Sequence, residues 1–448
     1  MRWFFSLFFS LSLCNAFESI TLSQAIERVR QNNLELSIAS LDEEIARLEH
    51  DSAQGQGWGT LDLTQTALRS NDALSVFGFK LQSREATFGD FGFSQFNASN
   101  PNVLHVMPTD LNEPKSRNHF QTALEYTIPL YTGGKIEAHQ KIAHALRVLK
   151  TLSKEELVLQ KQFEVKKTFH TLTLLHYHRA QLLIIASNVS KIEQMTQGML
   201  EEGYAKGVDL LEVQARKSDI ERLLYQSEAN QKLLLSFLSF LLQTPVEGIV
   251  WVDEDVAFAG QSEEKLLESN VAIQKALKGV DISKIQIDLA QSAFLPQVGA
   301  FASYGSSDDT FLNDFTDKQS YTLGLQMRWN ILRGGVDKNT LEKSRVEHLK
   351  AQLQLRLAQE GTLLQWRKLK TQIDNDRFEI ESLKKELALA EAIYENYAGR
   401  YREKLVSIHE VLLKQSDEIG KRLKLRELQN RRNEKIFELE TLISKDIP

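Results

Sequence analysis

Two stretches of this chain, Leu130 to Thr244 and Gln297 to Ile447, run for more than a hundred residues each without a proline. The proline ring fixes φ, removes a donor and costs about 3 kcal/mol inside a helix, so such gaps leave room for very long helices. Seven prolines in 448 residues are too few to punctuate the turns of an ordinary globular enzyme of this length. With 42% hydrophobic and 25% charged residues the chain can bury a large core, which excludes a disordered protein. Its 54 Lys+Arg are outweighed by 60 Asp+Glu and no basic block stands alone, which argues against a nucleic-acid partner.

The first sixteen residues have another character. Met1-Arg2 gives a positive start, Trp3 to Leu13 is an apolar run broken by serines, and Cys14-Asn15-Ala16 ends in small residues. This is the pattern of a cleaved signal peptide over 1–16, and it predicts export. Bulky Leu13 before Cys14 argues against lipid attachment at that cysteine, although the sequence leaves it open. Cleavage after Ala16 would leave a mature chain without cysteine, and so without disulfides or thiolate chemistry. Beyond that point no window approaches the ~18 apolar residues of a membrane-spanning helix. The best, Leu233 to Leu242, reads as the buried end of a helix, so any spanning structure must be a strand barrel.

The chain repeats itself. Gly133-Gly134 and Gly334-Gly335 each follow an alternating segment. In the first, Phe120, Thr122, Leu124, Tyr126 and Ile128 alternate with His119, Gln121, Ala123, Glu125 and Thr127. In the second, Tyr321, Leu323, Leu325, Met327 and Trp329 alternate with Ser320, Thr322, Gly324, Gln326 and Arg328. Period two with one apolar and one polar face suits a wall between lipid and water, and Tyr126, Tyr131, Tyr321 and Trp329 suit its interfaces. Each glycine pair, where an extended chain must turn into a helix, opens a long pattern of spacings three and four. From Lys135 to Gly198 this is about 64 residues, or roughly 96 Å of helix. A short break follows, Gly203 to Asp209 or Tyr401 to Ser407, and then a returning helix, Leu210 to Leu242 or Ile408 to Ile443. A shorter helix precedes each strand pair, Leu22 to Leu48 and Glu263 to Ala293.

The expected organisation is therefore a first repeat over 17–243, a connector over 244–261, and a second repeat over 262–448. The strands are expected near 58–69, 118–131, 295–305 and 319–331. Four strands cannot close a barrel, since small barrels need about eight, so closure must come from several copies.

On these features the sequence closely resembles the TolC family of outer-membrane efflux channels. The resemblance rests on Leu22-Ser23-Gln24-Ala25-Ile26 with Asn32-Asn33, on both glycine junctions and helix breaks, and on Tyr401, Leu405, Ser407, Glu410, Val411 and Leu412. Asn71-Asp72, Val76-Phe77-Gly78, Lys80-Leu81, Phe88, Asp90-Phe91, Asn97 and Asn100-Pro101 resemble an insert of one subset. The family implies a mainly α fold with membrane strands. In it, three chains form a twelve-stranded β-barrel in the outer membrane, continued by an α-helical barrel through the periplasm. It implies a homotrimer in contact with outer-membrane lipid, docking to a periplasmic adaptor and an inner-membrane pump, either of the resistance-nodulation-division class or ATP-driven. The implied function is the exit duct of a tripartite efflux pump, without cofactor or catalysis. The outer-membrane component of type I protein secretion is the nearest alternative. A periplasmic coiled-coil adaptor or structural protein is further off, because it would not duplicate the strand-strand-helix unit.

The resemblance places the periplasmic gate at the helix breaks. Glu212 and Glu410 correspond to acidic residues that face the lumen, and Tyr204 and Tyr401 to aromatic residues beside it. A locking arginine of some members falls here on Val406, and the first break counts one residue shorter than the second. Lys206, Asp209, Arg402 and Glu403 are then the candidates for another lock. An ordinary solvated helix face is the competing reading for the glutamates, and simple packing of the turn is the competing reading for the tyrosines. His170, His176 and His178 read as exposed helix histidines: residues two apart lie on different faces, and no His-Glu-x-x-His motif occurs. Neither a phosphate loop nor a Gly-x-Ser-x-Gly elbow occurs. Phe77, Phe79, Phe88, Phe91, Phe93 and Phe96 crowd the segment between the first two strands, where they could cap the barrel or pack locally. Cargo, pump class and the role of segment 70–117 are not legible.

Overall fold

A computed structural model describes residues 19–252, 255–258, 262–311, 313–403 and 405–443. The expected signal peptide lies outside them. In chain order they form α1 (Leu22–Asn32), α2 (Leu34–Gly55), β1 (Thr60–Ser70), α3 (Ala73–Gln82), α4 (Thr109–Asn112), β2 (Arg117–Tyr131), α5 (Lys135–Glu201) and α6 (Gly207–Leu242). They continue as α7 (Glu263–Ser269), α8 (Val271–Ser292), β3 (Gln297–Asp308), β4 (Gln319–Arg328), α9 (Val336–Arg402) and α10 (Ile408–Thr441). The proline-free stretches are the long helices: α5 and α9 have 67 residues each. The chain divides into two compact units, one of Ala46–Arg147 with Val280–Ala351, the other of the remaining residues.

In the helical unit two cores are built alike. α1, α5 and α6 bury Val29, Val165, Phe169, Leu172, Leu238, Leu241 and Leu242. α7, α9 and α10 bury Leu266, Trp366, Ile373 and Leu439, joined by Ile443 just beyond α10. Trp366 stands at the same distance from Val165 as Ile373 from Leu172, Leu439 from Leu238 and Gly335 from Gly134, so one residue offset carries the second core onto the first. Such apolar spacing holds each long helix to its returning partner, and each fully buried aliphatic side chain contributes about 1.5–3 kcal/mol.

The two short helices expected upstream of the strands are each divided. Asn33 separates α1 from α2, and Asn270 separates α7 from α8. Both are buried. Asn33 Nδ2 donates to Leu241 O and Asn270 Nδ2 to Leu442 O, each at 2.9 Å, while each Oδ1 accepts backbone N–H groups of the following helix. A side chain that caps the next helix and bonds the end of the returning one favours a break over a continuous helix. The apolar periodicity continues across the break, which is why spacing alone does not reveal it.

The second unit holds one antiparallel sheet in the order β1-β2-β3-β4. Its register aligns Leu63, Leu124, Tyr304 and Tyr321, and next to them Leu61, Tyr126, Ala302 and Leu323. With Leu325 and Met327 these make one apolar face across all four strands, and Tyr321, Leu323, Leu325 and Met327 are 66–77% exposed. The opposite face carries Asp62, Thr64, Gln121, Glu125, Thr127, Ser303, Thr322 and Gln326. From Tyr321 to Trp329 the strand covers about 27 Å at ~3.4 Å per residue, close to the ~25 Å band of outer-membrane strands. Trp329 Nε1 donates to Phe294 O and the Tyr126 hydroxyl to Trp58 O at that end of the sheet.

The segment between β1 and β2 packs largely on itself. Phe77 meets Phe91 edge-on at 4.9 Å, and Phe79 stacks on His119 at 4.2 Å. Lys80 holds the Asp90 carboxyl down to about 2 through their hydrogen bond, helped by the Thr87 N–H. Arg84 donates to Asp317 O and Gln319 O, which ties the segment to the β3–β4 loop. Phe88 and Phe93 remain exposed.

Candidate functional site

The helix turns form because glycine and capping residues stop one helix and start the next. Gly203, at φ +80°, ends the first long helix, and Tyr204 N and Ala205 N both bond Met199 O. α6 then begins at Lys206, whose N–H donates to Asp209 Oδ2 at 2.9 Å. On the other turn Leu405 N bonds Arg400 O, and α10 begins at Ser407. There the box is complete: Ser407 N–H and Oγ–H donate to Glu410 Oε2 at 2.9 and 3.0 Å, and Glu410 N–H donates to Ser407 Oγ at 3.3 Å. These bonds from Ser407, with smaller attraction from Arg400 and His409, hold the Glu410 carboxyl below its usual range, so it stays ionised near neutral pH.

Both turns are of equal length, since Lys206 follows Gly134 by as many residues as Ser407 follows Gly335. The shorter first break expected from sequence is thereby corrected. The same offset pairs Asp209 with Glu410 as capping acids, and pairs Glu212 with Leu413. Glu212, Arg402 and Glu403 are exposed, as are Tyr204 (77%) and Tyr401 (44%). Of the candidate residues, the structure joins Lys206 to Asp209 through the backbone, and it sets Arg400 near Glu410.

Residues missed from sequence brace these turns. Tyr397 lies between two cations, Arg400 at 5.7 Å and Lys414 at 5.5 Å from its ring. Glu193 bonds Lys217 at 2.8 Å across α5 and α6, and Asn188 bonds Gln415 across α5 and α10. Farther along, buried Asp376 accepts from Arg431 at 2.9 Å and Lys435 at 2.7 Å. Once the repeat offset is known, partner helices can be aligned, but a polar pair across two helices carries no sequence mark of its own.

His176 is exposed as expected, His178 is half-buried, and His170 needs correction. His170 is 7% exposed and lies 4.8 Å from the Phe437 ring, and burial, aided by Lys166, pushes it down to about 4. His176 stacks on Trp251 at 4.1 Å, and His178 Nε2 is 3.4 Å from a Glu427 carboxylate oxygen. Three different neighbours hold them, so no common ligand set arises. Glu85, Asp308 and Asp309 do converge within 4.8 Å, but each is already paired with Arg117 or Lys318.

At the junctions Gly133, Gly134, Gly334 and Gly335 all have positive φ, between +58° and +87°. Only at Gly133 is the space also closed: a Cβ there would lie 2.8 Å from Leu295 Cβ and 3.0 Å from Ser292 O.

A long-helix unit and a four-stranded sheet with one apolar face define a TolC-like fold. Residues 264–444 match the family model described as outer membrane efflux protein. Among solved structures, CusC aligns with 13% identity and a TM-score of 0.77 over 95% of this chain and 92% of that one. The outer membrane protein VceC of Vibrio cholerae aligns with 15% identity and a TM-score of 0.74 over 94% of each chain. The Campylobacter jejuni CmeC outer membrane channel aligns with 13% identity and a TM-score of 0.76 over 95% and 87%. No curated protein sequence matches the chain. The second repeat thus matches the outer membrane efflux protein model, and the chain shares the fold of these channels.

Proposed function

We propose that three copies of this chain close their sheets into a twelve-stranded barrel and serve as the exit duct of a tripartite efflux pump. The observation that carries this is the open sheet. Four strands with one apolar and one polar face leave β1 and β4 as edges, and a barrel is the spanning structure in which strand edges are satisfied. The signal peptide over 1–16 is removed on export, and the repeats over 17–243 and 262–448 are joined by the connector over 244–261. The helix turns form the periplasmic mouth, which meets a periplasmic adaptor, and the adaptor joins an inner-membrane pump. Cargo passes without chemical change.

At that mouth the charge stays in place across the working range, because Ser407 keeps Glu410 ionised. Three copies would set Glu410, Asp209 and Glu212 around a narrow aqueous space, where rings of carboxylate favour cations. Arg400 beside Glu410 weakens that field. The first test uses purified protein in planar bilayers under a KCl gradient. Discrete conductance with cation preference is expected, and Glu410→Gln with Glu212→Gln should move the reversal potential toward zero at low salt. The shift should shrink near 1 M, where the screening length is roughly 3 Å. Conducting trimers with unchanged reversal potentials would remove these acids from the lumen, and absence of conductance would remove the duct.

A further inference from the structure

In the helical unit the connector roofs a groove between α5 and α10. Val252 N–H donates to Thr173 Oγ1 on α5 at 3.2 Å, and Val256 N–H donates to Asn433 Oδ1 on α10 at 3.4 Å. Arg432 of α10 adds an ion pair to Asp255 at 2.6 Å. Between these clips and the two helices lies a cavity of about 250 Å³. His170 and Asn433 are the most buried of its lining residues, at 7% and 4% exposed, whereas Trp251, His176 and Asp255 are exposed at its rim.

The lining carries hydrogen-bonding capacity that the protein does not use. Among the described residues, neither the His170 ring nor the Gln429 and Asn430 amides have a hydrogen-bond partner. A buried imidazole without a partner costs free energy, and burial keeps it uncharged near neutral pH, so it offers one donor and one acceptor. Aromatic faces stand beside these groups. Trp251 stacks on His176 with ring centroids 4.1 Å apart, and Arg426 lies over the Tyr177 ring at 5.0 Å. The charged members of the lining, Asp255 and Arg426, are thus engaged by Arg432 and Tyr177, and what stays open is flat, aromatic and neutral. Packing of the repeat does not demand this set. The offset that carries one helical core onto the other puts Thr371, Arg377 and Phe378 of α9 where α5 has His170, His176 and Tyr177.

We infer that this cavity binds a small, neutral, planar heteroaromatic molecule bearing a carboxamide or an equivalent donor–acceptor pair. Its ring lies against Trp251 and Tyr177, and its polar group exchanges hydrogen bonds with His170, Gln429 and Asn430. The volume is below the ~300–1,000 Å³ of drug-sized sites, which limits the molecule to one or two fused rings. Such an occupant touches α5, α10 and the connector at once, so it ties the first repeat to the second and raises the resistance of the helical unit to unfolding by mass action. Every lining residue belongs to the helical unit, so the inference does not depend on closure of the barrel.

The probe is nicotinamide, a neutral pyridine carboxamide, titrated into the full-length protein in mild detergent and read by saturation-transfer NMR against empty micelles. Saturable binding is expected, with a Kd on the order of 1 mM for a molecule of this size. Trp251→Ala and, separately, Asn430→Leu should each weaken it about tenfold, while Tyr225→Ala, at an exposed aromatic outside the cavity, should leave it unchanged. Cyclohexanecarboxamide, which keeps the amide and loses the flat ring, should bind about tenfold more weakly than nicotinamide. Thermal unfolding checks that each variant is folded, and Trp251, exposed on the connector, keeps the test open if Asn430→Leu is not. No saturable binding to the parent would overturn the inference and leave the cavity to water. Equal binding by the parent and Trp251→Ala would overturn it by placing the site elsewhere, and equal affinity for cyclohexanecarboxamide would overturn the aromatic class.

Discussion

At the turn from α5 to α6 the capping position is Lys206, whose side chain can only donate, so Asp209 alone satisfies part of the helix start. At the turn from α9 to α10 the same position is Ser407, which exchanges three hydrogen bonds with Glu410. The backbones match in length and offset, yet one turn is held by a complete box and the other by half of one. Duplication has kept the geometry that the long helices impose and has let the side chains diverge. The junction glycines show the same pattern: four positive φ values, but only Gly133 faces a closed wall. Stability and function should therefore be distributed unevenly between repeats that look alike.

The largest asymmetry is expected at the junctions. Gly133→Ala must hold a side chain at φ +64° and displace Leu295 or the Ser292 carbonyl, which costs about 3 kcal/mol in all. Gly334→Ala carries only the backbone strain, about 1–2 kcal/mol. Thermal unfolding in detergent, and the yield of folded protein in the outer membrane, should rank the two in that order. Equal effects would mean that the wall beside Gly133 yields.

His170 gives the next contrast, because the same place in the second repeat is Thr371, which does not titrate. In the unfolded chain a histidine takes its proton near 6.5, whereas buried His170 does so only at about 4. As pH falls the unfolded chain binds the proton first, so this stabilisation is full above about 6.5 and is lost progressively between there and 4. It amounts to roughly 3 kcal/mol at most. His170→Gln should flatten the fall in unfolding temperature between pH 7 and pH 5, and a slope identical to the parent's would contradict the assignment.

Asn33→Ala and Asn270→Ala should act alike, each by about 2 kcal/mol, because each leaves a buried carbonyl and a helix start without a partner. Two unequal losses would show that the two helical cores are less equivalent than their offset implies. The smallest effect is at the caps: Ser407→Ala should cost about 1 kcal/mol, while Lys206→Ser should gain several tenths by completing the box. Protection of the α6 and α10 amides from hydrogen exchange measures both.

How much of this was legible depends on whether the signal was periodic. Alternation in β2 and β4, the glycine pairs and the long apolar spacing of α5 and α9 are local and repeated, so the resemblance to TolC-type channels and the order of elements follow from them. The breaks at Asn33 and Asn270 were not, because each asparagine interrupts a helix by bonding a carbonyl some 170–210 residues away, while the apolar pattern runs on. The equal length of the two turns was hidden because capping residues change identity from lysine to serine. His170 read as exposed because helical position alone does not say which face α10 covers, and Phe437 covers this one. Of the gate candidates, Asp209 and Glu410 are the two that cap a helix start, a role that their spacing from Lys206 and Ser407 carries but that lumen-facing position does not require. Gly133, Gly134, Gly334 and Gly335 were legible as a group, and the crowding that separates Gly133 from the others depends on the α8–β3 corner.

The central claim is that the open four-stranded sheet is one third of a closed barrel. Native mass of the full chain extracted from outer membranes, with the same sample reconstituted for single-channel recording, tests it most directly. The account expects three copies per particle and conducting pores, with β1-edge and β4-edge amides equally protected from exchange. A particle of one copy, or a trimer whose edge amides exchange freely, would contradict it.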